Sequence, residues 1–332
     1  KVDMMEATAN NIHATSTKAL KDQVQDLVAR FLNDDRIDFL KQNALLLDAY
    51  FQSAFENSLV GPRMEISRNP YAIIALGGYG RSEQCIHSDV DLLVLFEKKI
   101  PGQADALIRE MIYPLWDIGM EVGYATRSLK ECLRLAADDY DILTPILDAR
   151  FICGMSPLFS TLISKLHAGV IKKRYRRIIE WLVEKNRDRH EHFGDSAYLL
   201  EPNLKEGQGG LRDYHTILWI ARIEHQLRTP RDLEYFGQMS HDEYRALRQA
   251  LAFIWRVRNW LHHKTGRKRD QLQFQDQLVL AETLKYEEAN GQQPVERFMG
   301  GLHANMEYVK QQHLIYLHEN GLEKPHRRRR PA

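Results

Sequence analysis

This chain of 332 residues has few cysteines, no long apolar runs and no large excess of charge of either sign. The three cysteines, Cys85, Cys132 and Cys153, are far apart and lack CxxC spacing, which argues against a disulfide framework and a zinc ribbon. No apolar run approaches the ~20 residues that a membrane-spanning helix needs. The N-terminus lacks the apolar segment of a signal peptide. We therefore expect a cytoplasmic protein with no membrane partner.

The charges of the chain are almost balanced, with 46 basic against 45 acidic residues and a formal net charge of +1. This balance gives no reason to expect nucleic acid as a partner. Hydrophobic residues make up 44% of the sequence, which is enough to build a buried core. The length allows two domains of ordinary size.

The spacing of apolar residues is helical in some parts of the chain and typical of β-strands in another. Apolar residues recur at helical intervals over residues 17–60, and short apolar runs rich in β-branched residues follow from Tyr71. After about residue 129 the pattern is almost entirely helical. We therefore predict an α+β fold, in which a small mixed sheet has helical cover and a larger all-helical domain follows it. The expected segments are N-terminal helices, a sheet-containing core, a helical domain and a basic tail, at residues 1–65, 66–150, 151–320 and 321–332.

A glycine pair and two aspartates stand at the junction of the first two predicted strands. Gly77 and Gly78 follow the strand that starts at Tyr71, and Asp89 and Asp91 open the next strand. Residues i and i+2 of a strand point to the same face, so the two aspartates project together. Paired carboxylates favour a bridging cation, and Mg²⁺ accepts carboxylate oxygens together with phosphates. The glycines let backbone N–H groups approach a phosphate closely.

Three further residues complete this candidate site. Arg81 and Ser82 can offer a positive charge and a hydroxyl group to a phosphate. Glu121 lies between the apolar Met120 and Val122 on a third predicted strand, and phosphoryl chemistry with two metal ions calls for a third carboxylate. A paired glycine alone is often a plain turn, and two spaced aspartates alone are often a solvated strand edge. Their order along this chain favours a metal and triphosphate site.

A second glycine-rich loop, EPNLKEGQGGLRD, occupies residues 201–213. Its glycines precede a predicted helix, and the N-terminus of a helix favours anions. Lys205 and Arg212 add positive charge. Taken alone, this pattern fits a glycine-rich turn with solvated charges somewhat better than it fits a binding site.

Histidines outside these motifs are expected to be unremarkable. His190 and His192 form an HxH pair, but on a helix they point in different directions, which favours a surface position. His241 and Asp242 lack the additional His and Asp that a metal-dependent phosphohydrolase needs.

Four separated motifs resemble the N-terminal half of the bifunctional uridylyltransferase/uridylyl-removing enzymes, within the DNA polymerase β-type nucleotidyltransferase superfamily. The resemblance covers roughly residues 40–320. It implies transfer of UMP from UTP to a tyrosine hydroxyl of the PII nitrogen-signal protein, with release of pyrophosphate. The motifs are GGYGRSEQ…HSDVDLLVLF, WDIGMEVGYATRS, EPNLKEGQGGLRDYHTILWIAR and QPVERFMGGLHANMEYV.

The resemblance also implies roles for individual residues. Asp89, Asp91 and Glu121 would be the catalytic acids that hold two Mg²⁺ ions, with Mn²⁺ as a substitute. The triphosphate and the rest of the nucleotide would be bound by residues of both glycine-rich loops. The expected nucleotide contacts are Gly77, Gly78, Arg81, Ser82, Asn203, Lys205 and Arg212.

The sequence departs from the family pattern at three positions near this site. The family usually has proline where this chain has Ile86, and often has glycine at Ser82 and histidine at Tyr124. The expected metal ligands are unchanged, so these departures bear on specificity and not on the type of reaction.

Two alternatives stay open beside uridylyl transfer. One is an enzyme of the same fold that uses another nucleotide or acceptor, such as an adenylyltransferase acting on a protein or a small molecule. The other is a nucleotide-sensing module without catalysis. A protein-interaction scaffold in residues 151–320 is compatible with uridylyl transfer. Full-length family members carry an HD hydrolase domain and two ACT domains after the helical region. We recognise neither in this sequence and expect no uridylyl-removing activity from it.

Overall fold

The computed structural model describes residues 2–34, 36–61, 68–194 and 200–322. The chain separates into two compact units, of which the first is Lys1–Lys173 with Gly266–Lys268 and the second is Arg174–Thr265 with Arg269–Ala332. The mixture of one small sheet and many helices confirms the predicted α+β class. The expected basic tail lies outside the described residues from position 323 onward. No described helix is long and apolar enough to cross a membrane.

Helices and strands alternate in the first unit. A π-helical turn, His167–Ile171, follows the last helix of this unit. In chain order the elements are α1 (Val2–Asn33), α2 (Phe39–Glu56), β1 (Tyr71–Ala75), α3 (Gly77–Gly80), β2 (Val90–Phe96), α4 (Ala104–Met111), α5 (Tyr113–Asp117), β3 (Val122–Ser128), α6 (Leu129–Asp138), α7 (Tyr140–Leu147), β4 (Arg150–Gly154) and α8 (Ser156–Leu166).

The four strands form one sheet in the order β3-β2-β1-β4. Strand β1 is antiparallel to both of its neighbours, whereas β2 and β3 are parallel. The three strands predicted from the sequence are confirmed. Strand β4 was not predicted from the sequence, and it continues the sheet past the boundary expected at residue 150. Its five residues are too few for a clear alternation, and Arg150 at its start is charged.

The core of the first unit lies between the sheet and its helical cover. Strands β1 and β2 are almost completely buried, as expected of central strands that carry apolar side chains on both faces. Helices α4 and α5 cover the sheet and meet at Ile112. Large buried side chains of this core include Tyr50, Phe51, Leu92, Val94, Phe96, Leu107 and Met111.

A buried polar contact fixes α3, the segment that contains the glycine pair. The hydroxyl of the fully buried Tyr79 donates a hydrogen bond of 2.7 Å to Asp48 on α2. Asp48 also accepts from Arg150 on β4 at 2.6 Å, and the Arg150 guanidinium lies 5.3 Å from the centre of the Tyr79 ring. Burial, assisted by Asp48, raises the pKa of Tyr79 well above its ordinary value, so the phenol stays a hydrogen-bond donor. This contact joins α2, α3 and β4.

The second unit is helical in its described part. Its helices are α9 (Lys172–Phe193), which begins two residues before the boundary between the units, α10 (Leu211–His225), α11 (Asp232–Tyr235), α12 (His241–Thr265), α13 (Phe274–Thr283) and α14 (Pro294–Glu319).

The glycine-rich loop before α10 is tied to α9 through Asp213, whose side chain is fully buried. Asp213 accepts a hydrogen bond of 2.7 Å from the Gly209 N–H, pairs with Arg189 and contacts the His190 ring at 2.7 Å. The expected surface position of His190 is therefore wrong, because this face of α9 packs onto the loop and the imidazole meets a buried carboxylate. His192 is exposed, as expected.

Replacement of Gly80 by alanine is expected to lower the free energy of unfolding by about 1–3 kcal/mol, as overpacking of a tight site usually does. A Cβ at this position would overlap the Asp148 carbonyl oxygen and lie 3.0 Å from that of Ala75. The matched control is Gly78→Ala on the same helix, where the nearest atom to a Cβ lies 3.8 Å away. Urea unfolding compares the two variants, and equal stabilities would contradict this description of α3.

Acidification is expected to destabilise the second unit through His313. Burial, with the nearby His190 and Arg189, lowers the pKa of His313 to about 4, although Asp213 opposes this shift. The unfolded chain binds a proton at this histidine near pH 6.5, whereas the folded protein binds it only near pH 4. Protonation therefore favours the unfolded chain. The free energy of unfolding is highest above pH 6.5 and falls as the pH drops toward 4.

Between pH 7 and pH 5 this histidine alone is expected to cost about 2 kcal/mol of unfolding free energy. Urea unfolding of wild type and His313→Gln at both pH values measures its share. The pH dependence should shrink in His313→Gln and persist in the control His192→Gln, which alters an exposed ring. An unchanged pH dependence in His313→Gln would show that the buried imidazole does not titrate in this range.

Candidate active site

The two aspartates lie at the start of β2, and every residue of the strand after Asp91 is buried. Asp91 is exposed, whereas Val90 and Leu92 on either side of it are buried. Asp89 is partly buried and immediately precedes the strand. The alternation of the strand therefore directs both carboxylates to the same side, as the sequence predicts.

Two glycines flank the carboxylate of Asp91. A Cβ on Gly77 would lie 3.5 Å from one carboxylate oxygen, and a Cβ on Gly123 would lie 3.0 Å from the other. Gly77 has a φ of +53°, a conformation that side chains disfavour. The Leu76 N–H donates a hydrogen bond of 2.9 Å to the Asp91 carbonyl oxygen, which ties the end of β1 to β2. Because glycine has no side chain, neither Gly77 nor Gly123 blocks the access of a ligand to the Asp91 carboxylate.

Glu121 lies at the same edge of the sheet. Strands β2 and β3 are parallel with Val90 opposite Val122, and the Val90 N–H donates to the Glu121 carbonyl oxygen at 2.8 Å. Glu121 immediately precedes β3, and its side chain is exposed. Among the described residues no three acidic, His or Cys side chains are already arranged as a metal-ligand group. The backbone thus brings the three acids to one edge, but their side chains do not form a closed ligand set.

The segment that carries Asp89 is held by polar contacts that the sequence pattern does not reveal. The buried side chain of Gln84 donates a hydrogen bond of 2.8 Å to the Asp89 carbonyl oxygen. The Ser88 hydroxyl accepts from the Cys85 N–H at 3.1 Å, and Asn43 on α2 donates to the Gln84 carbonyl oxygen at 3.2 Å. These contacts fix the approach to β2 without using the carboxylate.

Arg81 has a buried guanidinium that already has two acidic partners. It pairs with Glu83 at 2.6 Å and with Asp148, whose side chain is fully buried. Burial opposes the charge on Arg81, but the two carboxylates outweigh it and hold the pKa of Arg81 above its usual range. Its contact with a nucleotide stays a prediction, and the contacts present support the turn after α3.

Ser82 occupies a backbone conformation that glycine adopts more easily. Its φ is +58°, in the left-handed region. This conformation gives a physical reason for the glycine that the resembling family often has at this position. The Ser82 N–H donates to the Tyr79 carbonyl oxygen at 3.1 Å, so the turn closes back on α3.

Asn203 and Arg212 have structural partners within the loop 201–213 of the second unit. The Asn203 side-chain oxygen accepts from the N–H groups of Lys205 and Glu206 at 3.0 and 2.7 Å. Arg212 pairs with Glu206 at 3.0 Å. These contacts were not predicted, although an asparagine side chain often accepts from the N–H groups of a following turn.

Lys205 is a partly buried cation of this loop, and its ammonium lies 3.7 Å from the Glu206 carboxylate. Burial, together with Arg212 and Arg258, lowers the pKa of Lys205 to about 8, against the opposing effect of Glu206 and Asp270. A bound anion would stabilise the charged form of Lys205. The predicted nucleotide contacts of this loop belong to a different unit from the aspartates, and they stay predictions.

A cation from the distant segment Gly266–Lys268, which belongs to the first unit, reaches the aspartate pair. The ammonium group of Lys268 forms an ion pair with the Asp89 carboxylate, 179 residues away in sequence. The run GRKRD shows only that this segment is basic. Nothing in its spacing connects it to Asp89, so sequence reasoning missed this contact.

Two family models match the chain. Residues 18–128 match the family described as "Putative nucleotidyltransferase DUF294", and residues 177–317 match the one described as GlnD PII-uridylyltransferase.

Several curated proteins named bifunctional uridylyltransferase/uridylyl-removing enzyme are similar to this chain. The protein of Cereibacter sphaeroides is 38% identical over 260 residues, which cover 78% of this chain and 28% of that protein. The protein of Rhodospirillum rubrum is 36% identical over 293 residues, or 85% and 31% of the two chains. The protein of Ruegeria pomeroyi is 40% identical over 228 residues, or 69% and 25%. The chain thus spans less than a third of the length of these relatives.

The acidic pair beside two glycines therefore lies within a region that matches a putative nucleotidyltransferase family, since residues 18–128 include α3, β2 and β3. We conclude that most of this chain is similar to part of the bifunctional uridylyltransferase/uridylyl-removing enzymes, and that its residues 177–317 match the GlnD PII-uridylyltransferase family model.

Proposed function

We propose that this protein transfers UMP from UTP to a tyrosine hydroxyl of a PII-type signal protein and releases pyrophosphate. The observation that carries the proposal is the pair Asp89 and Asp91 at the start of β2, with Gly77 and Gly123 against the Asp91 carboxylate. The names of the similar curated proteins support uridylyl transfer as the reaction.

The residues at this edge of the sheet fit a divalent cation. The Asp91 carboxylate faces space that two glycines leave free, and Asp89 already attracts the cationic group of Lys268. We propose that Asp89, Asp91 and Glu121 hold the metal, as two Mg²⁺ ions or as Mn²⁺. Bound metal would neutralise phosphate charge and polarise the attacking hydroxyl.

The chain itself would position the nucleotide and accept a proton. The first N–H groups of α3 have no partner within the helix, so those of Gly77 and Gly78 are available to phosphate oxygens. Ser82 would add a hydroxyl donor. Lys205, with Asn203 and Arg212 in its loop, would contact the nucleotide.

The proposed reaction breaks one phosphoanhydride bond. The tyrosine oxygen forms a bond to the α-phosphorus, and the bond from that phosphorus to the bridging oxygen of the β-phosphate breaks. The electron pair leaves with pyrophosphate, and the hydroxyl proton passes to a carboxylate of the aspartate pair.

The double substitution Asp89→Asn with Asp91→Asn is expected to lower transfer by about 10³-fold or more, because several kcal/mol of charge stabilisation would be lost. Mass spectrometry of a PII protein after incubation with UTP and Mg²⁺ measures the gain of one uridylyl group. The fold should remain intact, since both carboxylates lie outside the core. The matched control is Asp105→Asn with Asp117→Asn, two exposed residues of the same unit. Normal transfer by the first double variant would refute the proposed site.

A second candidate is the same chemistry with another nucleotide or acceptor, such as adenylylation of a protein or small molecule. The departures from the family pattern at Ser82, Ile86 and Tyr124 favour keeping it, because Tyr124 is exposed directly beside Gly123. Parallel incubations with each labelled nucleoside triphosphate separate the two candidates. Metal-dependent nucleotide binding without transfer to any acceptor would instead support a non-catalytic sensor.

A further inference from the structure

The pairing of Lys268 with Asp89 places a lysine ammonium on a carboxylate that we propose as a metal ligand. Both side chains keep about a third of their surface exposed, at 37% for Lys268 and 35% for Asp89. The pair is therefore open to solvent and to an incoming ligand.

Two ion pairs of the residues after Lys268 support the backbone that follows it. Arg269 pairs with Asp276 at 3.3 Å, and Asp270 pairs with Arg258 at 2.6 Å. Gly266, on the other side, has a positive φ of +64°. Lysine carries its charge on a flexible four-carbon stem, so its ammonium can move by several ångströms while the backbone stays in place.

We propose that Lys268 is an exchangeable counter-ion of the aspartate pair. Its ammonium neutralises Asp89 in the nucleotide-free protein and transfers to a phosphate oxygen of the nucleoside triphosphate when the metal–nucleotide complex binds. This inference rests on the proposed function, because it assumes that the aspartates receive a divalent cation together with a triphosphate.

Electrostatics gives this exchange a direction. Two cations at one carboxylate repel each other, so an ammonium on Asp89 opposes the binding of metal alone. A triphosphate carries several negative charges and offers the displaced ammonium a strong new partner. The same lysine therefore weakens the binding of metal alone and strengthens the binding of nucleotide. A residue that only stabilises the fold would not produce effects of opposite sign.

Lys268→Ala is expected to tighten the binding of Mn²⁺ alone and to weaken the binding of a non-hydrolysable UTP analogue, each by roughly tenfold. Electron paramagnetic resonance of the full chain during Mn²⁺ titration measures the first quantity. Equilibrium binding of the analogue at saturating Mn²⁺ measures the second. Lys268→Arg keeps the charge and should restore both affinities toward wild type.

The control is Lys99→Ala, which removes the same charge from an exposed position beyond the opposite end of β2. It should change neither affinity. Circular dichroism and urea midpoints check that the variants fold, and Lys268→Gln repeats the test with a polar side chain.

The outcomes separate this inference from the proposed function. Opposite shifts in Lys268→Ala support the exchange. No change, or two shifts in the same direction, would overturn the role of Lys268 while wild-type binding still supports the site. Wild-type protein that binds neither Mn²⁺ nor the analogue would overturn the proposed function, and the exchange with it.

Discussion

The carboxylate of Asp48 joins three elements on which the geometry of the candidate site depends. It accepts from the buried hydroxyl of Tyr79 and from the guanidinium of Arg150, so α2, α3 and β4 meet at one point. Because α3 continues from β1, which pairs with both β2 and β4, this contact also sets where the glycine pair lies relative to Asp91. Loss of the carboxylate would leave a buried phenol and a partly buried guanidinium without their partner, a more costly change than loss of an exposed ion pair.

Charge around the site is neutralised locally rather than by a field of one sign. Arg81 is matched by Glu83 and Asp148, and Asp89 is matched by Lys268. This pattern agrees with a chain whose formal net charge is only +1. The two sets differ in burial, since the guanidinium of Arg81 is enclosed and the ammonium of Lys268 is not. A ligand can therefore replace Lys268 more easily than it can reach Arg81. Arg81 with its two carboxylates is the fixed support of the site, and Lys268 is the exchangeable partner of Asp89.

Much of the fold follows from local sequence pattern, because alternation and helical periodicity are properties of adjacent residues. The buried strands β1 and β2 and the common face of Asp89 and Asp91 were predicted in this way, and the α+β class is confirmed. The features that were not predicted from the sequence are contacts between residues far apart in the chain. Arg150 in β4 is 102 residues from Asp48, and Lys268 is 179 residues from Asp89. His190 looked like a surface residue because its partner, Asp213, lies in another element. No local pattern encodes such contacts.

The central claim is that Asp89 and Asp91 receive a metal–nucleotide complex beside the glycine pair. A crystal structure with Mn²⁺ and a non-hydrolysable UTP analogue tests it directly, because the anomalous signal of manganese locates the metal. We predict an anomalous peak at the carboxylates of Asp89 and Asp91, with the triphosphate against the N–H groups of Gly77 and Gly78. Metal and nucleotide bound elsewhere, with the pair of Lys268 and Asp89 unchanged, would contradict the account.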